Sequence, residues 1–98
     1  MPPEISEKKP YNGKSADVFT AGVILFVLVN GIFPFNNATT DDHFYKLLLE
    51  GKYEQYWQQT GGQNLSDDFK DLFIRMVSYN PALRPTVEEI RQHPWMQK

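Results

Sequence analysis

The sequence predicts an all-α fold, a helical fragment with about four main helices around one buried central helix. The first observation is an apolar run over residues 18–29, in which only Thr20 is plainly polar. A helix at a protein surface shows a polar side at regular intervals, so this run predicts a helix buried on all sides. The second observation is an amphipathic repeat after Ser66, and the third is a capping pattern at Thr86.

The central helix is predicted over residues 15–30. Ser15 is the expected N-cap, and Asp17 lies in the expected first turn, where a negative charge suits the helix dipole. Asn30 and Gly31 are the expected stop. Periodicity alone also fits a strand, but the length and the cap favour a helix. The run is shorter than the roughly 20 apolar residues of a membrane span, so we expect a core helix and no membrane.

Between residue 39 and Ser66, the sequence indicates one helix and one long loop. The helix begins at Thr39 or Thr40, has Asp42 in its first turn, and ends at Gly51. The following residues 52–65 are assigned to a loop, because Gly61 and Gly62 interrupt them and lack the spacing of a phosphate-binding loop.

The two remaining helices carry the clearest signals. A helix capped by Ser66 has apolar residues at the spacing of one face, namely Phe69, Leu72, Phe73, Met76 and Val77. The last helix opens at Thr86, and Glu89 three residues later completes a capping box, in which each side chain satisfies a backbone N–H of the other residue.

Composition excludes several classes of function. The 98 residues form one small domain at most, and the formal net charge of −2 argues against nucleic-acid binding. The absence of cysteine excludes a disulfide framework and a zinc–thiolate site. The N-terminus lacks a signal-peptide pattern, so a cytoplasmic or nuclear location is expected.

Five short motifs, in order, resemble the distal part of the C-terminal lobe of a eukaryotic protein kinase. Residues 2–5 resemble the Ala-Pro-Glu motif of that family, and residues 17–23 resemble its Asp-x-Trp-x-x-Gly motif. Residues 31–35 resemble the turn before the family's G helix, and residues 80–86 the loop between its H and I helices. Residues 93–96 look like the end of a serine/threonine kinase domain. The chain is most similar to the calcium/calmodulin-dependent and AMP-activated kinase group.

The resemblance implies phosphoryl transfer from ATP to serine or threonine of proteins, with ATP and magnesium as cofactors of the complete domain. That chemistry needs a glycine-rich loop, a lysine–glutamate pair, a His-Arg-Asp loop and an Asp-Phe-Gly motif, none of which this sequence contains. Residues 1–98 are therefore expected to be a partial kinase domain without the N-lobe and the catalytic loop. We assign no catalytic, cofactor-binding or metal residue, and we leave the chain's status as an enzyme open.

Two origins and two roles follow from this expectation. A truncated gene model or an internal start is favoured over an evolved miniature. The expected role is structural support and substrate docking within a serine/threonine kinase, inactive alone. The alternative is a non-enzymatic helical interaction module. The expected partners are the missing N-terminal part of a kinase domain and protein substrates or regulators.

The resemblance also implies roles for particular residues. Glu4 and Arg84 are expected to form a buried structural ion pair, for which a planar guanidinium is well suited; two solvated charges are the alternative. The central-helix anchor comprises Asp17, Gly22, Ile24 and Leu28. In the family, the aspartate holds the catalytic loop and the two aliphatic positions support hydrophobic spines. This sequence lacks the catalytic loop, so Asp17 can act here only as a helix-start acid. Ordinary core packing explains Ile24 and Leu28 equally well.

A strip near Asp17, Ile24 and Leu28 is expected to lie open, because the segments that cover it in the family are absent.

Tyr53, Tyr56 and Trp57 form a candidate docking surface, since aromatic side chains anchor interfaces. The alternative is a loop packed on the core. The two histidines, His43 and His93, lack a second ligand at metal-binding spacing.

Overall fold

A computed structural model describes residues 2–6 and 13–97, and this part of the chain contains helices and no strand. The all-α prediction is confirmed. Two short 3₁₀ turns, Pro81–Leu83 and Pro94–Gln97, accompany the α-helices. The α-helices are α1 (Pro3–Ser6), α2 (Gly13–Asn30), α3 (His43–Leu49), α4 (Tyr53–Thr60), α5 (Asp67–Met76) and α6 (Val87–Arg91).

The long helix α2 begins earlier than the sequence predicts. Gly13 is its first described residue, so Ser15 lies inside the helix and the predicted Ser15 cap is wrong. The Ser15 hydroxyl instead donates to the carbonyl oxygen of Pro81 at 3.1 Å. Asp17 is consequently beyond the first turn. A tertiary partner for the hydroxyl thus outweighs its local capping preference.

One side of α2 forms the centre of the core. Phe19 and Phe26 are completely buried, and the ring centroid of Phe26 lies 4.8 Å from that of Phe73 on α5. Helix α2 has 18 residues and a mean hydropathy of 1.4, so it is long and apolar enough to cross a membrane. A helix in the core of a folded domain can meet the same two criteria. The fully buried rings identify this side of α2 as part of the domain core.

A glycine sets the distance between α2 and α5. A Cβ atom added at Gly22 would lie 2.9 Å from Met76 Cβ and 3.1 Å from Val77 Cγ1. Any larger residue would therefore overlap the end of α5. Gly22 is accordingly the point of closest approach, where the absence of a side chain allows the two helices to pack.

Helix α3 begins at His43, later than the predicted Thr39 or Thr40, because Asp42 caps it. Asp42 is the N-cap rather than a first-turn residue, and its Oδ1 atom accepts hydrogen bonds from the backbone N–H groups of Phe44 and Tyr45. Its other oxygen, Oδ2, accepts from the N–H groups of Asn36 and Asn37. This one carboxylate therefore fixes both the helix start and the preceding loop.

Helix α4 corrects the predicted loop over residues 52–65. Its last residue is Thr60, and Gly61 follows as a left-handed C-cap with a positive φ of 76°. Tyr56 and Trp57 point into the core, and Tyr56 Oη donates to the Pro34 carbonyl at 3.0 Å. The helix was missed because Lys52, before its first residue, makes no capping hydrogen bond.

The last two helices begin as the sequence predicts. Ser66 Oγ accepts from the N–H of Phe69 at 3.1 Å, and α5 follows directly. Thr86 and Glu89 form the capping box of α6, with distances of 2.9 and 3.1 Å between the paired atoms. Both caps are local interactions, which explains why the sequence alone identifies them.

Candidate functional site

A buried ion pair joins the start of the described chain to the segment just before α6. Arg84 Nη1 donates to Glu4 Oε2 at 2.7 Å, and Arg84 Nη2 donates to Glu4 Oε1 at 2.8 Å. Both side chains are almost inaccessible to solvent. The pair joins α1 to the segment between the Pro81–Leu83 turn and α6, with the bidentate geometry that a guanidinium and a carboxylate favour.

Three further contacts hold the Arg84 guanidinium in place. Its Nε donates to the carbonyl oxygen of Ser78 at 2.9 Å, and its Nη1 also reaches the carbonyl oxygen of Ser15 at 3.2 Å. Its carbon Cζ lies 4.8 Å from the ring centroid of Phe19, which is a cation–π distance. The arginine therefore connects α1, α2 and the end of α5 at one point.

The environment of Glu4 favours its charged form. Hydrogen bonding to Arg84 lowers the pKa of the Glu4 carboxyl below its usual value of 4.5, and burial opposes this effect without reversing it. A charged carboxylate paired with a charged guanidinium satisfies both groups inside the fold. Both charged groups are buried and satisfied by each other, as expected for a structural ion pair.

The other side of α2 is exposed, so the prediction that this helix is buried on all sides is wrong. Ile24 is 54% and Leu28 is 76% exposed, and Asp17, Thr20 and Ala21 are exposed on the same side. These five residues recur at the spacing of one helix face, and we call them the open face of α2. The strip that the sequence analysis expects to be uncovered is thus uncovered. Of the predicted anchor residues, Gly22 alone lies in the α2–α5 contact.

The three candidate docking residues on α4 do not form one exposed surface. Tyr56 and Trp57 are buried, which contradicts their prediction as docking residues, and Tyr53 remains partly exposed. The reason is their spacing: Tyr56 and Trp57 are neighbours on the side of α4 that packs against Phe26 and Phe73. Packing on the core is therefore the correct alternative for these two aromatics.

Tyr53 instead borders an apolar groove between α3, α4 and the end of α5. The groove has a volume of about 280 Å³. Exposed side chains of Leu49 and Leu83 extend its apolar surface, and Leu48 and Ile74 form part of its walls. Such a groove can accept an apolar side chain from another molecule.

A second, larger cleft lies beside the ion pair. Its volume is about 690 Å³, and it separates the start of α2 from the start of α6. Val18, Pro81, Pro85 and Val87 give it mostly apolar walls, and the Arg84 charge on its edge is paired with Glu4.

The described residues form no metal-binding cluster, and the two glycines after α4 serve packing and capping. No group of three or more histidine, aspartate or glutamate side chains in this part of the chain could hold a metal ion. Gly62 packs directly against the Trp57 ring, because a Cβ atom added at Gly62 would lie 2.7 Å from Trp57 Cε3. Gly61 caps α4, so neither glycine contributes to a phosphate-binding loop.

The structure also shows contacts that the sequence does not signal. His93 bonds to Asp71 on α5, 22 residues earlier in the chain, and the Arg84 partners at Ser15 and Ser78 are backbone carbonyls. Carbonyl oxygens carry no residue-specific signal, and a distant histidine–aspartate pair has no diagnostic spacing. Of the contacts that Arg84 and His93 make, the sequence predicts the Glu4–Arg84 pairing, through the family resemblance.

Comparison with known proteins places this architecture in context. The sequence pattern of the protein kinase domain family matches residues 1–96. Over its full length, the chain is 36% identical to sperm motility kinase Z of Mus musculus, of which it covers 18%. Over 96% of its length, it is 42% identical to the probable serine/threonine-protein kinase MARK-A of Dictyostelium discoideum, covering 8% of that protein.

A plant relative shows the same relationship. Over 98% of its length, the chain is 35% identical to serine/threonine-protein kinase SAPK6 of Oryza sativa subsp. japonica, of which it covers 26%. The chain therefore spans about a quarter or less of the length of these three relatives.

Proposed function

Because the chain belongs to the protein kinase domain family, we propose that it is a C-lobe portion of a serine/threonine kinase that supports the rest of the domain. In this role it supplies a packed helical base and a surface for the catalytic segments. It contributes to docking of protein substrates, and alone it neither binds ATP nor transfers phosphate.

The open face of α2 is the observation that carries this proposal. Phe19 and Phe26, on the opposite side of the helix, are fully buried, whereas Ile24 and Leu28 face solvent. Each large apolar side chain left in water forgoes roughly 1.5–3 kcal/mol of burial. A further part of a kinase domain, packed on this face, would recover that free energy.

The polar end of the same face fits the proposed role. Asp17 opens the strip, with its carboxylate exposed beside Thr20 and Ala21. A carboxylate at the edge of an apolar strip can accept backbone hydrogen bonds from a segment that packs across it. The same strip therefore offers both apolar contact and an orienting acceptor.

We also propose membership of the calcium/calmodulin-dependent and AMP-activated kinase group. The His-Pro-Trp-Met ending at residues 93–96 supports this assignment, and so does the similarity to MARK-A and SAPK6.

The second candidate is a non-enzymatic helical interaction module. The groove between α3, α4 and α5 favours it, because Leu49, Tyr53 and Leu83 expose apolar surface around a preformed depression. Both candidates predict protein contacts, but only the first requires that the open face of α2 accept kinase-domain segments.

Nucleotide titration tests the proposed inactivity. We expect no saturable heat when the purified chain is titrated with millimolar ATP and magnesium in a calorimeter. An intact serine/threonine kinase serves as the positive control under the same conditions. A saturable isotherm with micromolar affinity for the 98-residue chain would refute the proposal.

A further inference from the structure

His93 joins the C-terminal turn Pro94–Gln97 to α5 through both nitrogens of its ring. Nδ1 accepts a hydrogen bond from the backbone N–H of Trp95 at 3.1 Å. Nε2 lies 2.8 Å from Asp71 Oδ2. The Trp95 ring packs edge-on against Phe69 of α5, with 5.3 Å between the ring centroids. The imidazole therefore holds the turn over an apolar contact.

These two hydrogen bonds define one state of the ring. A backbone N–H always donates, so Nδ1 must present a lone pair to Trp95. A carboxylate accepts, so Nε2 must carry the proton that His93 donates to Asp71. The contacts together require a neutral imidazole with its proton on Nε2. Addition of a second proton at Nδ1 would set two N–H groups against each other.

We propose that His93 is a proton-sensitive latch: the neutral ring fixes the Pro94–Gln97 turn on α5, and protonation releases the turn. Release breaks the Trp95–His93 hydrogen bond and frees the Trp95 ring from Phe69. The bond between His93 and Asp71 survives, because an imidazolium still donates from Nε2. Acidification would thus expose part of the apolar surface around Phe69.

The charged groups around His93 determine the direction of the response. Asp71 favours the imidazolium, whereas Arg75, whose Nε donates to the same Asp71 oxygen at 2.9 Å, competes for that carboxylate. Asp68 and Glu89 lie in the same depression as His93 and add negative charge. The Trp95 N–H and the Arg75 cation favour the neutral ring. The protonation state of His93 therefore depends on these two groups, which favour the neutral ring, and on the nearby carboxylates, which favour the imidazolium.

A nitrogen-detected NMR titration of the full, isotopically labelled chain between pH 8 and pH 5 tests the latch. At pH 8 we expect the His93 ring in the tautomer with its proton on Nε2. As the ring gains its second proton, the amide and indole signals of Trp95 should shift with the same midpoint. A proton on Nδ1 at pH 8, or Trp95 signals that stay fixed while His93 titrates, would overturn the proposal.

Two histidine variants separate this response from general effects of pH. His93→Gln should abolish the Trp95 transition over this range. His43→Gln should leave the transition intact, because His43 contacts Gln59 on α4 and not the C-terminal turn. Loss of the Trp95 transition in His43→Gln, or its persistence in His93→Gln, would contradict the assignment. The wild-type tautomer measurement remains decisive if either variant folds poorly.

Two charge variants give shifts of opposite sign. Asp71→Asn removes the carboxylate that favours the imidazolium, so the Trp95 midpoint should fall by roughly half a pH unit or more. Arg75→Gln removes the competing cation, so the midpoint should rise. Shifts in the reverse directions would show that these groups do not act through His93.

Discussion

Arg84 and Glu4 form a two-point ion pair between residues 80 positions apart in the sequence, with N–O distances of 2.7 and 2.8 Å. The pair secures α1, whose four residues contain one helical turn, to the body of the domain. Such a short helix has little stability of its own. The position of α1 therefore depends on this contact.

Removal of one member of the pair should strongly destabilise the fold. Arg84→Ala leaves the Glu4 carboxylate buried without its partner, and we expect a loss of about 3–5 kcal/mol in the free energy of unfolding. The double variant Glu4→Gln/Arg84→Met should recover much of that loss. Urea denaturation followed by circular dichroism measures both.

Arg91→Ala is the matched control for Arg84→Ala. Arg91 is exposed and lies 3.7 Å from Glu88, so its removal should cost at most about 1 kcal/mol. If Arg84→Ala and Arg91→Ala shift the urea midpoint equally, the Glu4–Arg84 pair is not a buried anchor.

The same pair predicts a loss of stability in acid. The folded-state pKa of Glu4 is lowered from 4.5, so its stabilisation is complete above the unfolded pKa. That stabilisation should disappear as the pH falls through the lowered pKa of the folded state. Comparison of urea midpoints at pH 7 and pH 3 should show a larger loss for the wild type than for Glu4→Gln. Equal losses would indicate that Glu4 titrates alike in both states.

The contact between α2 and α5 should not tolerate a methyl group. In an open helix position, Gly→Ala gains stability because alanine has the higher helix propensity. Gly22→Ala should instead destabilise by about 1–3 kcal/mol, since its Cβ would lie 2.9 Å from Met76 Cβ.

Gly13→Ala provides the control for this substitution. Gly13 also lies in α2, but among the described residues no tertiary neighbour lies within 4 Å of its added Cβ. We expect the Gly13→Ala variant to unfold at the wild-type urea concentration or slightly above it. A stabilising effect of Gly22→Ala would mean that the helices lie further apart than described.

Local signals explain which elements could be predicted. Ser66 and Thr86 cap their helices through residues three positions away, so the sequence contains each complete interaction. Helix α4 lacks a capping side chain, although Tyr53, Tyr56 and Trp57 have the spacing of one helix face. The sequence assigns the two glycines after α4 to a loop, whereas Gly61 is the C-terminal cap of that helix.

Tertiary contacts explain what could not be predicted. Ser15 looks like a cap, but its hydroxyl bonds to Pro81, 66 residues away. The family resemblance, and not residue spacing, suggested the Glu4–Arg84 pair. Nothing in the sequence connected His93 with Asp71, because the contact depends on how the C-terminal turn folds back over α5.

Helix α2 has one packed side and one open apolar face, and we propose that another part of a kinase domain covers the open face. Leu28→Lys, on the open face, should change the unfolding free energy of the isolated chain by no more than about 0.5 kcal/mol. It should also reduce fluorescence of a dye that binds exposed apolar surface. Phe26→Ala, on the packed side, should cost about 3–5 kcal/mol.

Urea unfolding of these two variants, with dye binding measured on the same samples, determines whether α2 has one packed side and one open side. We expect Leu28→Lys to be near-neutral with lowered dye fluorescence, and Phe26→Ala to be strongly destabilised. A Leu28→Lys variant as unstable as Phe26→Ala, with dye binding unchanged or increased, would show that Leu28 is buried and that α2 has no open face.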